Sequence, residues 1–260
     1  MPRRRAASAT IAAIMTLAAP IARAVPDEIQ VYTDDINAPR EFGLELHLNA
    51  TPKGRTTPDF PGDLPTQGSY RATAEFSYGL PHDFEAGLYL PTVTDSHGNF
   101  SAAGVKLRLK WIPLRPEEGE SGWYAGANLE LANVNKKFSE SQWSTELRLI
   151  LGYHTEDWFI GGNIILDQAL SQPYRSSSPD TTLALKANHR VAGNAALGLE
   201  YYDDIGTLSH TLPRNQQGQV LYLTLDYAGK VFDINFGVGR GLNNATDAWT
   251  VKAIIGFPLN

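Results

Sequence analysis

Cysteine is absent from this sequence of 260 residues, and its absence excludes two classes of exported protein. A chain without thiols can be neither a lipoprotein anchored through an N-terminal cysteine nor a small fold held together by disulfides. The sequence also lacks a second long apolar run after its first 24 residues, so it predicts no membrane-spanning helix in the rest of the chain. No low-complexity linker divides the chain into separate domains.

The first 24 residues have the pattern of an export signal. A basic stretch at residues 3–5 precedes the apolar segment TIAAIMTLAAPIA, and Ala22-Arg23-Ala24 fits the small-x-small cleavage pattern. We therefore expect cleavage after Ala24 and a mature chain that begins at Val25. An uncleaved membrane anchor is the alternative, although the apolar segment is shorter than the ~20 residues of a spanning helix.

Positive charge is scarce once this segment is removed. Four of the 22 basic residues lie within residues 1–24, so 18 remain against 28 acidic residues, and the mature chain has a net charge of −10. A nucleic acid partner would require a basic surface to neutralise its phosphates. The composition therefore argues against nucleic acid binding.

Alternation of apolar and polar residues with period 2 is the dominant pattern that is present. Phe42, Leu44, Leu46 and Leu48, for example, alternate with mostly polar residues. Helical periodicity is not sustained anywhere after residue 24, so the fold is predicted to be all-β. Most predicted strands are close in length to the ~9–11 residues of a tilted membrane-spanning strand. Twelve strands are predicted, with ten or fourteen as alternatives, at residues 41–51, 69–78, 84–91, 102–112, 123–133, 143–153, 158–168, 181–187, 195–202, 219–227, 232–240 and 248–257.

The connections between the predicted strands fall into two classes. Those after odd-numbered strands are long, at residues 52–68, 92–101, 134–142, 169–180, 203–218 and 241–247. Those after even-numbered strands are shorter, at residues 79–83, 113–122, 154–157, 188–194 and 228–231. Outer-membrane barrels have this asymmetry, with short periplasmic turns and longer extracellular loops.

The tryptophans supply an independent indication of a membrane. All five lie at predicted strand ends with the parity of the apolar face: Trp111, Trp123, Trp143, Trp158 and Trp249. An indole ring favours the boundary between hydrocarbon and head groups, and barrels carry two girdles of such residues. We therefore expect these residues to form an aromatic girdle. A soluble periplasmic β-protein, the alternative, would place its tryptophans mid-strand in the core.

The hydrocarbon core of a membrane requires the sheet to be closed. Hydrocarbon offers no hydrogen-bond partner to an open sheet edge, so strands that span a membrane must form a closed sheet. We predict a closed antiparallel up-and-down transmembrane β-barrel of about 12 strands in a Gram-negative outer membrane. The predicted regions are a signal peptide at residues 1–24, a periplasmic N-terminal arm or short plug at 25–40, and the barrel at 41–260.

Two runs carry a resemblance to a known family. The run FSYGLPHDFEAGLYLPT, followed by AAGVKLRLKW, covers about residues 76–111. It resembles a pattern in the phenol meta-pathway (MetA-type) transporter and channel family of outer-membrane proteins. The resemblance implies passage of small, apolar molecules.

The inner face of the barrel is the only place where the strands can carry function. Parity predicts that this face is polar and nearly balanced in charge. The predicted pore-lining residues are Glu45, His47, Arg71, Glu75, Glu85, Lys106, Arg108, Lys110, Glu130, Glu146, Arg148, Glu200 and Lys252.

Two interpretations of these charges compete. They could form ion pairs that fill a narrow barrel, or they could line an aqueous path on which the basic stripe of residues 106–110 opposes an acidic wall. Inward glycines such as Gly87, Gly152 and Gly161 favour the open path because they leave volume for a solute. Antiparallel pairing is expected to place Gly126 beside Arg108 and to give the guanidinium room.

An enzyme is the rival class, because some outer-membrane barrels are hydrolases. The six histidines do not cluster in the sequence, and the chain contains neither HExxH nor GxSxG. His47 lies beside Glu45 and Asn49 on one strand face, and a pore-lining histidine is the simpler interpretation. We therefore expect no enzymatic activity, no cofactor and no metal.

The predicted function is passive passage of a small solute through a narrow channel with a charged lumen. Outer-membrane lipid and the solute are the predicted partners. A closed structural or adhesin-like barrel that acts through its extracellular loops is the alternative, and a lipid-modifying enzyme is a third candidate.

Overall fold

The computed structural model describes residues 28–117 and 119–259, and its regular structure in these ranges is entirely β. The predicted signal peptide lies outside the described residues, so its cleavage stays a prediction. No helix in the described part of the chain is long and apolar enough to cross a membrane. The strands are β1 (Phe42–Lys53), β2 (Tyr70–Leu80), β3 (Phe84–Thr94), β4 (Phe100–Ala102), β5 (Gly104–Leu114), β6 (Gly122–Val134), β7 (Trp143–His154), β8 (Trp158–Ala169), β9 (Asp180–Ala192), β10 (Ala195–Thr207), β11 (His210–Thr211), β12 (Gly218–Ala228), β13 (Asp233–Gly241) and β14 (Trp249–Leu259).

Twelve of these strands form one closed antiparallel barrel. Each long strand pairs with the next long strand along the chain, and β14 pairs with β1 to close the sheet. The two short strands only extend the sheet at its loops, because β4 pairs with β3 and β11 with β10. The all-β, closed, antiparallel barrel of twelve strands is therefore confirmed.

Two strands differ most from their predicted bounds. β9 and β10 extend beyond the predicted ranges 181–187 and 195–202. The acidic residue Asp203 predicts a loop, yet it continues β10 and pairs with Gln219. Its Oδ2 accepts hydrogen bonds from Tyr201 at 2.8 Å and from Gln219 at 3.1 Å, so one carboxylate oxygen finds its partners within the sheet and the strand continues past the charge.

The connections define two different ends of the barrel. At the short-turn end they are residues 81–83, 115–121, 155–157, 193–194 and 229–232. At the long-loop end they are residues 54–69, 95–103, 135–142, 170–179, 208–217 and 242–248, with β4 and β11 inside two of them. The barrel also begins and ends at the short-turn end, where Phe42 pairs with Leu259.

The two faces of the barrel wall have opposite chemistry. On β5, 56% of the surface of Leu107 is exposed, whereas Lys110 on the inner face is only 6% exposed. The other strands repeat this pattern, with apolar side chains outside and charged ones inside. A water-soluble protein shows the reverse distribution, and membrane barrels are apolar on the outside.

The chain preceding β1 runs through the barrel interior. Residues 28–37, here called the arm, pass Glu85 near the short-turn end, where the backbone N–H of Asn37 donates to its carboxylate at 2.7 Å. The arm extends toward the long-loop end as far as Lys252, which donates to the carbonyl of Ile29 at 2.9 Å. Tyr32, between these points, is buried. The described part of the predicted 25–40 region thus lies where a plug would lie, and the domain boundaries stay predictions.

Candidate functional site in the barrel lumen

Every predicted pore-lining residue is buried or half-buried on the inner face of the barrel. Six of the thirteen belong to two groups of contacts in the lumen. One group contacts the arm, and the other forms ion pairs on the far side of the lumen. Passage of a solute past these residues stays a prediction.

Two cations of the basic stripe of β5 are paired with acids that lie one or two strands away in the sheet. Arg108 Nε donates to Glu75 at 2.7 Å, and its Nη2 donates to Glu75 and, at 2.7 Å, to Glu85. Lys106 Nζ lies 3.9 Å from the carboxylate of Glu130. The expected stripe that faces an acidic wall across an aqueous path is therefore wrong for these two cations, because their acids lie only one or two strands away in the sheet, on β2, β3 and β6.

Gly87 gives Arg108 its space, and the expectation that Gly126 does so is wrong. The register pairs Arg108 with Gly87 on β3 and with Glu130 on β6. A Cβ atom at Gly87 would lie 2.6 Å from Cγ and 2.7 Å from Nε of Arg108, so a side chain there would displace the guanidinium. Gly126 lies between the partners of Trp111 and Leu114, four residues from Glu130, and alternation alone does not determine the register.

Tyr32 is the midpoint at which the arm is fixed. Its backbone N–H donates to Asn163 Oδ1 at 2.7 Å, and Asn163 Nδ2 donates back to its carbonyl at 3.0 Å. The hydroxyl group lies 2.6 Å from that of Tyr89 and donates to Glu130 at 3.3 Å. Asn163 therefore satisfies both backbone groups of a residue that has no strand partner.

Basic side chains satisfy other carbonyl groups of the arm. Lys110 Nζ donates to Asp35 at 2.6 Å, and Arg148 Nη1 donates to Gln30 at 3.2 Å. The guanidinium of Arg148 also lies 4.0 Å from the centre of the Tyr32 ring, a cation–π distance. We call Glu85, Lys110, Glu130, Arg148 and Asn163 the arm-binding wall.

On the opposite side of the lumen, the charged side chains pair mainly with one another. Glu200 accepts a hydrogen bond from Lys252, and Lys186 Nζ lies 3.4 Å from Glu200 and 2.7 Å from Asp226. Asn235 Nδ2 donates to Asp226 at 2.7 Å. These five residues, here called the self-paired wall, contact the arm through the bond from Lys252 to Ile29.

At three positions, inward glycines do not leave the free volume that the sequence predicts. A Cβ atom at Gly152 or Gly161 would lie 2.2 or 2.1 Å from the hydroxyl oxygen of Tyr124, whose ring fills this part of the lumen. At Gly87 the space is taken by Arg108. The glycines therefore accommodate large side chains of the protein itself.

The lumen also contains residues that are not among the predicted pore-lining residues. Tyr89 and Tyr124 are fully buried, and Asn163 is 1% exposed. Tyr89 lies four residues after Glu85 on β3, so the period-2 alternation assigns it to the inner face and could have identified it as a lumen residue. No local pattern marks Tyr32, because the arm has no periodicity and its partners are distant in the sequence.

Glu45, His47 and Glu75 have the donor atoms best placed to hold a metal ion in the described part of the chain. His47 Nε2 lies 3.0 Å from Glu75 Oε2 and 3.5 Å from Glu45 Oε2. Imidazole and carboxylate ligands would suit a transition metal ion. Arg108 already bonds to Glu75, however, and the Nε2 atom of His47 is hydrogen-bonded to the same carboxylate, so both of these ligand groups are engaged by protein contacts.

The predicted girdle residues project outward at both ends of the barrel. Their exposed fractions range from 42% for Trp249 to 60% for Trp123. At the short-turn end Trp111 stacks on Phe84, with ring centres 5.5 Å apart. The five residues, Trp111, Trp123, Trp143, Trp158 and Trp249, lie at strand ends, and their contact with lipid head groups stays a prediction.

No family model matches the sequence, and no curated protein matches it. The structure is similar to that of the COG4313 outer membrane channel from Pseudomonas putida F1, with a TM-score of 0.58 and 12% identity over 86% of this chain and 97% of that chain. It is also similar to the KdgM porin, with a TM-score of 0.53 and 10% identity over 84% of this chain and 99% of that chain. The chain therefore has the fold of outer-membrane channel barrels.

Proposed function

We propose that this chain is an outer-membrane channel for passive passage of small polar solutes, and that the arm closes it in the conformation of the structure. The way the arm is attached carries the proposal. Residues 28–37 lie in the lumen but pair with no strand of the barrel. A segment held in this way can leave the lumen while the sheet stays intact.

The arm is held by side chains, and water can replace these contacts. Asn163 and Lys110 bond to its backbone, and so does Lys252. A hydrogen bond of this kind contributes roughly 0.5–1.5 kcal/mol in net terms, because water offers the same groups alternative partners. Release of the arm would expose an inner wall that carries charges of both signs.

The lining favours polar solutes. Selectivity in channels follows from the groups that line the path, and here these groups are carboxylates, cations and amides. The KdgM porin is known in complex with an oligogalacturonate, a polar saccharide, which supports passage of polar molecules through a barrel of this shape. The resemblance to the phenol meta-pathway family implies apolar solutes instead. Membership of that family and passage of its solutes therefore stay predictions. The lack of enzymatic activity also stays a prediction.

Single-channel recording in a planar lipid bilayer tests the proposal. The chain is refolded in detergent and compared with a variant that lacks residues 28–37. We expect discrete openings that are rare for the intact chain and long-lived for the variant, because the variant has no plug.

Absence of discrete openings in both proteins would contradict the channel and would favour a closed structural barrel that acts through its loops. Urea unfolding of the variant in lipid vesicles is the necessary control. It should show a single transition, as expected if the barrel sheet forms without the arm.

A further inference from the structure

The pairing register brings two cations and an indole ring together on the outer face at the long-loop end. Trp249 on β14 pairs with Lys53 on β1 and with Arg240 on β13. All three side chains are exposed, and the Arg240 guanidinium lies 5.0 Å from the centre of the Trp249 ring. We call these three residues the cation row.

The two cations of this row have no ion-pair partner among the described residues. Exposed arginines at the short-turn end differ in this respect. Arg115 lies 3.0 Å from Asp83, and Arg190 lies 4.0 Å from Glu156. Lys53 and Arg240 therefore present unneutralised positive charge beside an apolar belt.

An apolar groove begins next to the cation row, on the side toward the middle of the barrel. Its volume is about 390 Å³, and it lies on the outer face of β14, β1, β2 and β3. Its lining includes the small residues Ala50, Ala72 and Ala253 and the large exposed rings of Tyr70 and Phe100. Ala50 belongs to the next outward row of the ladder after Trp249, so groove and cations are separated by about 7 Å, two residues along a strand.

We propose that the cation row and the groove together form a binding site for a phosphorylated lipid of the outer leaflet. Lys53 and Arg240 bind the phosphate, because ammonium and guanidinium groups form charge-assisted hydrogen bonds with its oxygens. Trp249 lies at the boundary of the head groups, and one acyl chain occupies the groove. The site rests on the membrane location proposed above but does not depend on passage of a solute.

Two observations favour a lipid over a second copy of this chain as the occupant. In a symmetric dimer the same patch would meet itself, and Lys53 and Arg240 would face cations of the partner copy. The long-loop end is the extracellular end in barrels of this type, so the site faces the outer leaflet. A lipid with a negative head group and an apolar chain matches both parts of the site.

Native mass spectrometry of the refolded full chain in neutral detergent tests the site, with bis-phosphorylated lipid A as the probe. The double variant Lys53→Ala/Arg240→Ala should bind this lipid about tenfold more weakly, because both charge-assisted contacts to phosphate are lost. The matched control, Lys136→Ala/Lys137→Ala, removes two exposed cations from the same end of the barrel and should bind like the unchanged chain.

Two further measurements separate the contribution of the lipid phosphates to binding from that of the acyl chain. Lipid A without phosphates should bind the unchanged chain as weakly as the phosphorylated lipid binds the double variant. Ala72→Leu, which narrows the groove, should weaken lipid binding several-fold but leave the phosphate preference in place.

Equal binding of the two forms of lipid A would overturn the proposal, and so would an equal loss in both double variants. Inorganic phosphate that competes fully with the lipid would show an anion site without a lipid chain and would also overturn it. Single-channel conductance of the Lys53→Ala/Arg240→Ala variant should match that of the unchanged chain, so failure of the lipid site and failure of the channel are distinguishable.

Discussion

The two walls of the lumen use similar residues for different purposes. On the arm-binding wall, Lys110 and Arg148 donate to carbonyl groups of a segment that belongs to no strand. On the self-paired wall, Lys186 forms ion pairs with Glu200 and Asp226 of the barrel itself. The first set of contacts can be exchanged for water without breaking the sheet, and the second cannot leave without stranding a buried charge.

In the proposed channel, this difference would separate stability from gating within one charged interior. Contacts between wall and wall stabilise the barrel whether or not the arm is present. In the proposed channel, contacts between the arm-binding wall and the arm would stabilise only the closed conformation. A variant on one wall should therefore change unfolding, and a matched variant on the other wall should change conductance.

The largest effect is expected from Glu200→Ala on the self-paired wall. Glu200 is 1% exposed and bonds to Lys252, which is fully buried, and to Lys186. Its removal leaves Lys252 without an acidic partner, and breaking a buried ion pair in this way costs about 3–5 kcal/mol. Urea-induced unfolding in lipid vesicles should show this loss in the free energy of unfolding.

The control for this measurement is Glu120→Ala, which removes an exposed carboxylate at the short-turn end. Its unfolding free energy should change by less than about 0.5 kcal/mol, as expected for a surface site. If Glu200→Ala were equally mild, the wall would not stabilise the barrel and the distinction between the two walls would fail.

A smaller effect, on gating, is expected from Asn163→Ala on the arm-binding wall. The side chain makes two hydrogen bonds to the backbone of Tyr32, and their loss should favour release of the arm by about 2 kcal/mol. In a planar bilayer the ratio of open to closed time should rise by about thirtyfold, since 1.4 kcal/mol corresponds to a factor of ten.

The matched control is Asn235→Ala on the self-paired wall, where the amide bonds to Asp226 and Glu200. It should lower the free energy of unfolding by about 1–2 kcal/mol and leave the open time unchanged. Equal conductance changes in both asparagine variants would show that contacts of the two walls affect release of the arm equally, which would contradict the distinction between the walls.

The strands were predictable from the sequence because side-chain direction along a strand is a local property. Alternation located all twelve barrel strands and assigned residues such as Glu75 and Lys252 to the inner face. Partners across strands depend on register, which alternation does not determine. The expected register of β5 and β6 placed Gly126 beside Arg108, although the actual partner is Glu130, four residues away.

The arm could not be predicted in the same way. Its fixed point, Tyr32, contacts Asn163 at a separation of 131 residues, and no periodic pattern connects them. The backbone groups of the arm need partners wherever it lies, but the sequence contains many amides and cations that could supply them. The distinction between the two walls is therefore visible only in the folded chain.

The smallest effect is expected from Tyr32→Phe, which tests how much of the arm's attachment depends on side chains of the arm itself. The change removes the hydroxyl bonds to Tyr89 and Glu130 but keeps the ring beneath Arg148 and both backbone bonds to Asn163. A loss of about 1 kcal/mol would raise the ratio of open to closed time about fivefold, well below the effect of Asn163→Ala.

Tyr202→Phe is the matched control, because its hydroxyl donates to Glu200 on the self-paired wall at 2.7 Å. It should alter unfolding and leave conductance unchanged. If Tyr32→Phe opened the channel as strongly as Asn163→Ala, the hydroxyl of the arm would be its main anchor, and the backbone bonds would contribute little. The expected order, with Asn163 ahead of the Tyr32 hydroxyl, follows from the arm being an unpaired extended segment whose backbone groups depend on the wall for partners.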